Sequence, residues 1–186
     1  MRFATTVGTI ALVFGLATLR AQETKQLREP DVIFVPTPPE VVDVMLKMAH
    51  VHRGDVLYDL GSGDGRIVIA AAKQFGVHGV GIDINPVRVQ EANDNARTAG
   101  VTNLVTFRNE DLFEADISPA SVVTLYLLTS LNLKLKPKLL HDLKPGTRIV
   151  SQTFDMGDWQ PQEDEVVDGR HVYLWIVPTP NNGRRP

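Results

Sequence analysis

The sequence predicts an α/β fold, doubly wound around a mostly parallel seven-stranded sheet that closes on a C-terminal antiparallel hairpin. Three observations predict it. Short apolar runs alternate with helical segments from residue 37 to residue 154, the pattern of a parallel sheet covered on both faces. A glycine cluster, Gly61-Ser62-Gly63-Asp64-Gly65, separates the first run from the helix that follows it. The last two runs, Glu163 to Val167 and His171 to Val177, lie too close together for a helical crossover. They are expected to pair antiparallel around Asp168-Gly169.

Each element has a local reason. Thr37-Pro38-Pro39-Glu40 opens the first helix: Thr37 caps it, the prolines tolerate its first turn, and Glu40 completes a capping box. Val41, Val44, Met45 and Met48 then recur at helical spacing, with Gly54 beyond them. Val56 to Leu60 is the first strand, and Ile67 to Phe75 is an alanine-rich helix. Gly79 to Asp83 is the second strand. Asn85 caps the next helix, Pro86 takes its first position, and it ends near Gly100. Leu104 to Arg108 and Ser121 to Leu128 are the third and fourth strands, the latter rich in valine, leucine and threonine. Asn132 to Leu143 is helical, interrupted or bent at Pro137. Pro145-Gly146 turns the chain into a fifth strand, Thr147 to Phe154.

Composition narrows the function. A chain of 186 residues, 43% hydrophobic and 22% charged, is ordinary globular material with room for one sizeable core. It has no cysteine, which excludes a disulfide scaffold, a thiolate metal site and a cysteine nucleophile. The net charge of −3 argues against a nucleic-acid partner, because phosphate contacts need surplus lysine and arginine.

The first 21 residues are set apart from the fold. Phe3 to Leu19 is uncharged, Arg2 precedes it, and Leu19-Arg20-Ala21 follows. This reads as a signal peptide cleaved after Ala21, which would export the protein to a periplasmic or secreted location. The alternative is an uncleaved anchor holding a cytoplasmic domain at the membrane, with the run at the short end of a spanning helix. Residues 22–30 read as a polar linker, 31–178 as the folded domain and 179–186 as a frayed tail.

The chemistry gathers at the carboxyl ends of the strands. Asp59-Leu-Gly61-Ser-Gly63-Asp-Gly65 lies between a strand and a helix, where glycines let backbone approach a ligand. It is not a dinucleotide fingerprint: the third glycine falls one residue early and Arg66 stands where glycine is required. The leading Asp59 suits a ligand with an ammonium group better than a pyrophosphate. Asp83 ends the second strand, 20 residues after Gly63, and can accept hydrogen bonds from both ribose hydroxyls of a nucleoside. Asp111 and Leu112 follow the third strand. They suit an adenine, with the carboxylate on the exocyclic amine and the leucine over the ring.

Together these residues resemble the class I S-adenosylmethionine-dependent methyltransferases, with their Rossmann-like fold. The glycine segment looks like that family's first motif, Gly81-Ile-Asp83-Ile-Asn-Pro86 its second-strand acid, and Glu110-Asp111-Leu112 its adenine site. Val35-Pro36-Thr37, Leu60 to Ala71, Asp111-Leu112-Phe113, Arg148-Ile-Val-Ser151 and Trp159-Gln-Pro161 narrow the resemblance. They resemble the lysine methyltransferases of the ATP synthase c-subunit and their bacterial relatives. The resemblance implies S-adenosylmethionine as cofactor, held by Asp59, Gly61, Ser62, Gly63, Asp83, Ile84, Asp111 and Leu112. It implies a protein lysine as acceptor, on a partner that includes the possibility of a membrane protein. The chain departs from those relatives at Tyr126-Leu-Leu-Thr129, on the acceptor side.

Tyr126 and Thr37 are the acceptor-site candidates. Tyr126 lines an apolar slot or packs in the core, and Thr37 closes over the cofactor or only caps its helix. The five histidines show no metal spacing, and no metal is expected. No Gly-x-Ser-x-Gly elbow, Walker loop or paired-carboxylate motif is present. A small-molecule N- or O-methyltransferase, a NAD-dependent oxidoreductase and a non-catalytic cofactor-binding protein stay open as alternatives.

Overall fold

The computed structural model describes residues 27–179. The signal or anchor expected at 1–21, most of the linker and nearly all of the tail lie outside the described residues. The elements run α1 (Pro39–Met48), β1 (Val56–Leu60), α2 (Arg66–Phe75), β2 (His78–Asp83), α3 (Pro86–Ala99), β3 (Val105–Asn109), β4 (Val122–Leu125), α4 (Thr129–Asp142), β5 (Arg148–Gln152), β6 (Glu163–Val167) and β7 (Arg170–Ile176). They build one seven-stranded sheet in the order β3-β2-β1-β4-β5-β7-β6. β1 to β5 are parallel, and β7 lies antiparallel between β5 and β6. This is the doubly wound sheet with a terminal hairpin that the alternation predicts. Asp168 and Gly169 both take positive φ (48° and 73°), the backbone of a two-residue hairpin turn.

The chain enters the sheet at its centre, winds outward through β2 and β3, then returns to place β4 on the other side of β1. The cleft between the carboxyl ends of β1 and β4 is therefore the switch point where such sheets bind ligands. One face of the sheet packs Leu57, Val122 and Val150 against α1 and α2, and α3 closes the same side. The other buries Tyr58, Leu60, Val123 and Ile149 against Leu135 and Leu139 of α4. Among the described residues no helix is long and apolar enough to cross a membrane.

Three local expectations are corrected. Thr37 does not cap α1. The cap is Pro38 (φ −60°, ψ 145°), with no side-chain capping bond. Pro39 forces the residue before it out of the helical region, which moves the start one residue along and dissolves the capping box. The fourth strand stops at Leu125, because Tyr126, Leu127 and Leu128 leave the ladder and turn into α4, which begins three residues before Asn132. Of the two expectations at Pro137, an interruption or a bend, the interruption does not occur: α4 runs through it from Thr129 to Asp142. Asn85 does cap α3, accepting from Val87 N–H at 2.9 Å, and Gly100 ends it in the left-handed conformation.

A buried ion pair ties the amino ends of the central strands together. Asp55, 4% exposed, accepts bonds from the Arg148 guanidinium, from Ser121 Oγ (2.7 Å) and from His52 N–H (2.9 Å). Burial pulls its carboxyl upward, but these donors outweigh burial and hold it below the usual value. Asp55→Ala leaves the guanidinium without its carboxylate, and the expected loss is about 2–4 kcal/mol in urea unfolding. Because the folded value is depressed, this contribution is present above the ordinary carboxylate pKa and fades as pH falls through the folded one. The gap between Asp55→Ala and the parent chain should therefore narrow in acid.

Candidate active site

A cavity of about 630 Å³ opens at the switch point, within the usual size of small-molecule sites, about 300–1,000 Å³. Thr37, Asp59, Gly61, Ser62, Asp83, Ile84, Asp111, Leu112 and Tyr126 all line it. Gly63, the remaining candidate, lies in the same loop and donates its N–H to Asp83 Oδ2 at 2.8 Å.

The loop is built backbone first. Gly61 and Ser62 N–H both bond to the Ile82 carbonyl (2.8 and 3.0 Å), which pins the loop to the end of β2. Gly65 is left-handed (φ 79°), and a Cβ there would run into Phe107 and Ala92. That is why the third glycine of this loop sits at 65, where α2 packs against its neighbours. Asp83 uses its second oxygen to hold Asn85 N–H (2.8 Å), so its position is fixed from both sides. Ser62 Oγ is buried and has no partner among the described residues. It is a polar atom that a ligand in the cavity can satisfy.

Asp59 is the unusual group. It is 3% exposed and sits in register with Thr124 of β4, whose hydroxyl donates to it at 2.8 Å. Burial raises its pKa to about 7; the Thr124 bond opposes this, and the nearby Asp83 and Asp64 charges add to it. A dry carboxyl at a cavity wall is a site for a cation.

The structure adds a strap that the residue pattern did not reveal. Residues 28–37 cross the cavity mouth. Arg28, from the segment expected to be linker, donates to both Asp111 oxygens (2.6 and 3.1 Å) and to Asp31 (2.5 Å), and its guanidinium lies 5.3 Å from the Phe113 ring centroid. Asp111 is therefore engaged, not open; despite burial, Arg28 and the Phe113 N–H hold its carboxyl below the usual value. The Phe34 ring lies against Gly63, where a Cβ would overlap it, and Arg88 stacks on the Phe34 ring at 4.8 Å. Arg66 pairs with Asp64 (2.6 Å) and donates to the Thr37 carbonyl (3.0 Å), anchoring the strap's end. Thr37 is buried and lines the cavity although it caps nothing. Tyr126 is half-buried beyond the end of β4, so it is a wall of the site. The apolar run Ile33-Phe34-Val35, left exposed before Pro36, was the signal for the strap in the sequence.

A parallel sheet with an acid at the carboxyl end of β1, at the end of β2 and just beyond β3, all around one cavity, defines a Rossmann-like S-adenosylmethionine-dependent methyltransferase. Comparison with known proteins agrees. The family profile of the ANTKMT methyltransferase domain matches residues 59–163. A protein-lysine N-methyltransferase of Saccharolobus islandicus (strain REY15A) is 49% identical over 153 residues, covering 80% of this chain and 95% of that one. A lysine N-methyltransferase of Homo sapiens that acts on the ATP synthase c-subunit is 35% identical over 154 residues, covering 83% of this chain and 64% of the human protein. A crystal structure described as an RNA methyltransferase from Salinibacter ruber, in complex with S-adenosyl-L-homocysteine, superimposes with a TM-score of 0.77. It is 59% identical and covers 77% of this chain and 94% of that chain. The chain belongs to the ANTKMT methyltransferase domain family and is an enzyme that uses S-adenosylmethionine.

The raised pKa of Asp59 has a measurable sign. Unfolded, it titrates near the ordinary value of about 3.9. Between that value and about 7 the folded ligand-free chain keeps a proton that the unfolded chain releases, so stability declines as pH rises across this window. Urea unfolding from pH 5 to pH 8 should show the decline, and Asp59→Asn should remove it.

Proposed function

We propose that this methyltransferase transfers a methyl group to a lysine side chain of a protein. The observation that carries the proposal is the acid-lined cleft at the switch point, continued beyond Tyr126 by a mostly apolar cavity. A buried Asp59 suits the ammonium of the cofactor's methionine part, Asp83 suits the ribose, and Leu112 suits the adenine ring, with the Asp111 carboxyl beside it held by Arg28. Among the described residues, the walls beyond Tyr126 carry no cation to meet a phosphate. The relatives named as lysine methyltransferases support the same acceptor.

When bound, S-adenosylmethionine supplies a methyl carbon on a positive sulfur, which leaves as a neutral thioether. No covalent intermediate with the protein is needed, and positioning supplies much of the rate. The residues of this chain have three tasks. Gly61 and Ser62 bring backbone and a hydroxyl to the ligand. Asp83, held by Gly63 and Asn85 N–H, presents its oxygens in one orientation. The apolar strap and Tyr126 exclude water from the amine. That last task matters because lysine has an ordinary pKa near 10.4 and attacks only after its ammonium has lost a proton to solvent; desolvation lowers that value. An amine held there would present its lone pair to the methyl carbon that the bound cofactor would supply.

The Salinibacter ruber protein's description raises RNA as a second acceptor. The net charge of −3 and walls near Tyr126 that carry an acid and no lysine or arginine favour protein. Incubation with labelled S-adenosylmethionine and the protein and RNA fractions of a bacterial lysate separates the two. Label recovered as methyl-lysine after hydrolysis is the expected result, and label confined to nucleosides would sink the proposal. In parallel, Asp83→Ala should weaken S-adenosylhomocysteine binding by about 1–3 kcal/mol in a calorimetric titration. Unchanged affinity in a folded variant removes Asp83 from the ribose role.

The uncharged segment from Phe3 to Leu19, apolar from Val7 onward, supports a place at or beyond a membrane, either anchored or exported. Fractionation of cells expressing the full chain checks this. Intact chain in the soluble cytosolic fraction would end that part of the reading.

A further inference from the structure

A second cavity of about 260 Å³ adjoins the first and shares Asp31, Val32, Ile33, Val35 and Tyr126 with it, adding Leu128 and Phe154. Asp31, Val32, Ile33 and Val35 of the strap form one side; Tyr126, Leu128 and Phe154 form the other. The Tyr126 and Phe154 rings are near-parallel, 25° apart with centroids at 6.1 Å.

Phe154 reaches this position through a strained turn. β5 ends at Gln152, and Thr153 takes φ 65°, a left-handed conformation that a β-branched residue rarely adopts. Thr153 N–H bonds to the His171 carbonyl and Phe154 N–H turns back to the Gln152 carbonyl, both at 2.7 Å. The Phe154 carbonyl is then clamped by two buried donors, Ser151 Oγ (2.7 Å) and Asn132 Nδ2 (2.9 Å). Strain held in place by buried hydrogen bonds is characteristic of functional sites.

We propose that this cavity is the acceptor slot, that Phe154 is its specificity-determining wall, and that Asn132 is a positioning residue for Phe154. The inference rests on the lysine reading and deepens it. The slot suits an unbranched alkyl amine. Its aliphatic side, Val32, Val35 and Leu128, covers the methylenes. Its aromatic side attracts the ammonium and then desolvates it. The rings refuse a nucleobase between them, because a sandwiched aromatic needs about twice the ~3.5 Å contact distance, about 7 Å. Among the described residues Asp31 is the only charged member of the wall, and it is already paired with Arg28, so the wall presents no unpaired cation to repel an incoming amine.

The test uses the full chain, poly-L-lysine as acceptor and calorimetry with S-adenosylhomocysteine. Phe154→Ala should lower kcat/KM for poly-L-lysine by about tenfold, mainly through KM, a loss on the scale of one well-packed aromatic contact. The affinity for S-adenosylhomocysteine should stay within about twofold, since Phe154 does not line the cofactor cavity. Asn132→Ala should shift KM the same way. Adding Thr153→Gly to Asn132→Ala should restore part of the loss, because glycine takes the left-handed turn without strain. A merely structural role for Asn132 would lower kcat and cofactor affinity together and show no such rescue.

If Phe154→Ala does not fold, Phe154→Leu decides, keeping bulk and losing the ring. Wild-type KM for poly-L-lysine in either folded variant overturns the slot. Failure of the wild-type enzyme to methylate lysine in both poly-L-lysine and the lysate protein fraction instead overturns the lysine reading, and the slot falls with it.

Discussion

The site depends on a carboxyl group kept dry at the middle of the sheet. Asp59 lies where the chain reverses its winding direction, flanked in register by Gly81 of β2 and Thr124 of β4. Among the described residues Thr124 alone is seen to donate to its side chain. A carboxylate so sparsely solvated holds its proton until about pH 7 unless a cation comes to it. Its neighbours keep that need unmet by the protein itself. Arg66 is committed to Asp64, Arg28 to Asp111 and Asp31, and Arg88 to the Phe34 ring.

Packing behind the loop enforces this arrangement. A Cβ at Gly81 would strike Phe107 and Ser62 Oγ, so β2 must be bare there for the loop to lie down. With the loop seated, Gly63 N–H meets Asp83 and the Phe34 ring closes over the same glycine. The glycine spacing thus serves backbone curvature, ligand approach and closure by the strap at once. The strap has no ladder to belong to. Side-chain contacts hold it instead: Arg28 on Asp111, Arg66 on the Thr37 carbonyl, Arg88 on the Phe34 ring and Phe34 on Gly63.

Most of the framework is legible in the chain. Val56–Leu60 is a strand to the residue, the hairpin turns at Asp168-Gly169, and the caps at Asn85 and Gly100 form as their residue types dictate. These are local matters of turn chemistry and apolar period. The departures are local in appearance but not in cause. Thr37 has the right side chain to cap a helix, yet Pro39 displaces the start by one residue. Ser121 to Leu128 is apolar enough for a long strand, yet only Val122–Leu125 finds a partner on each side, and the rest turns away toward the cavity. Arg28 looks like linker until Asp111, 83 residues away, comes within 2.6 Å.

The winding of the sheet, the glycine loop, the acids at its carboxyl edge and hence the class of cofactor were all set by residue type and spacing over short stretches of chain. What faces the acceptor was not. The Phe154 ring reaches Tyr126 because Asn132 and Ser151 clamp its carbonyl beyond the costly turn at Thr153, and the strap covers both because Arg28 finds Asp111. Such contacts join residues far apart in the chain, whose individual preferences carry no trace of them. The catalytic class is therefore written in local pattern, while the shape that receives the amine exists only once the core has packed.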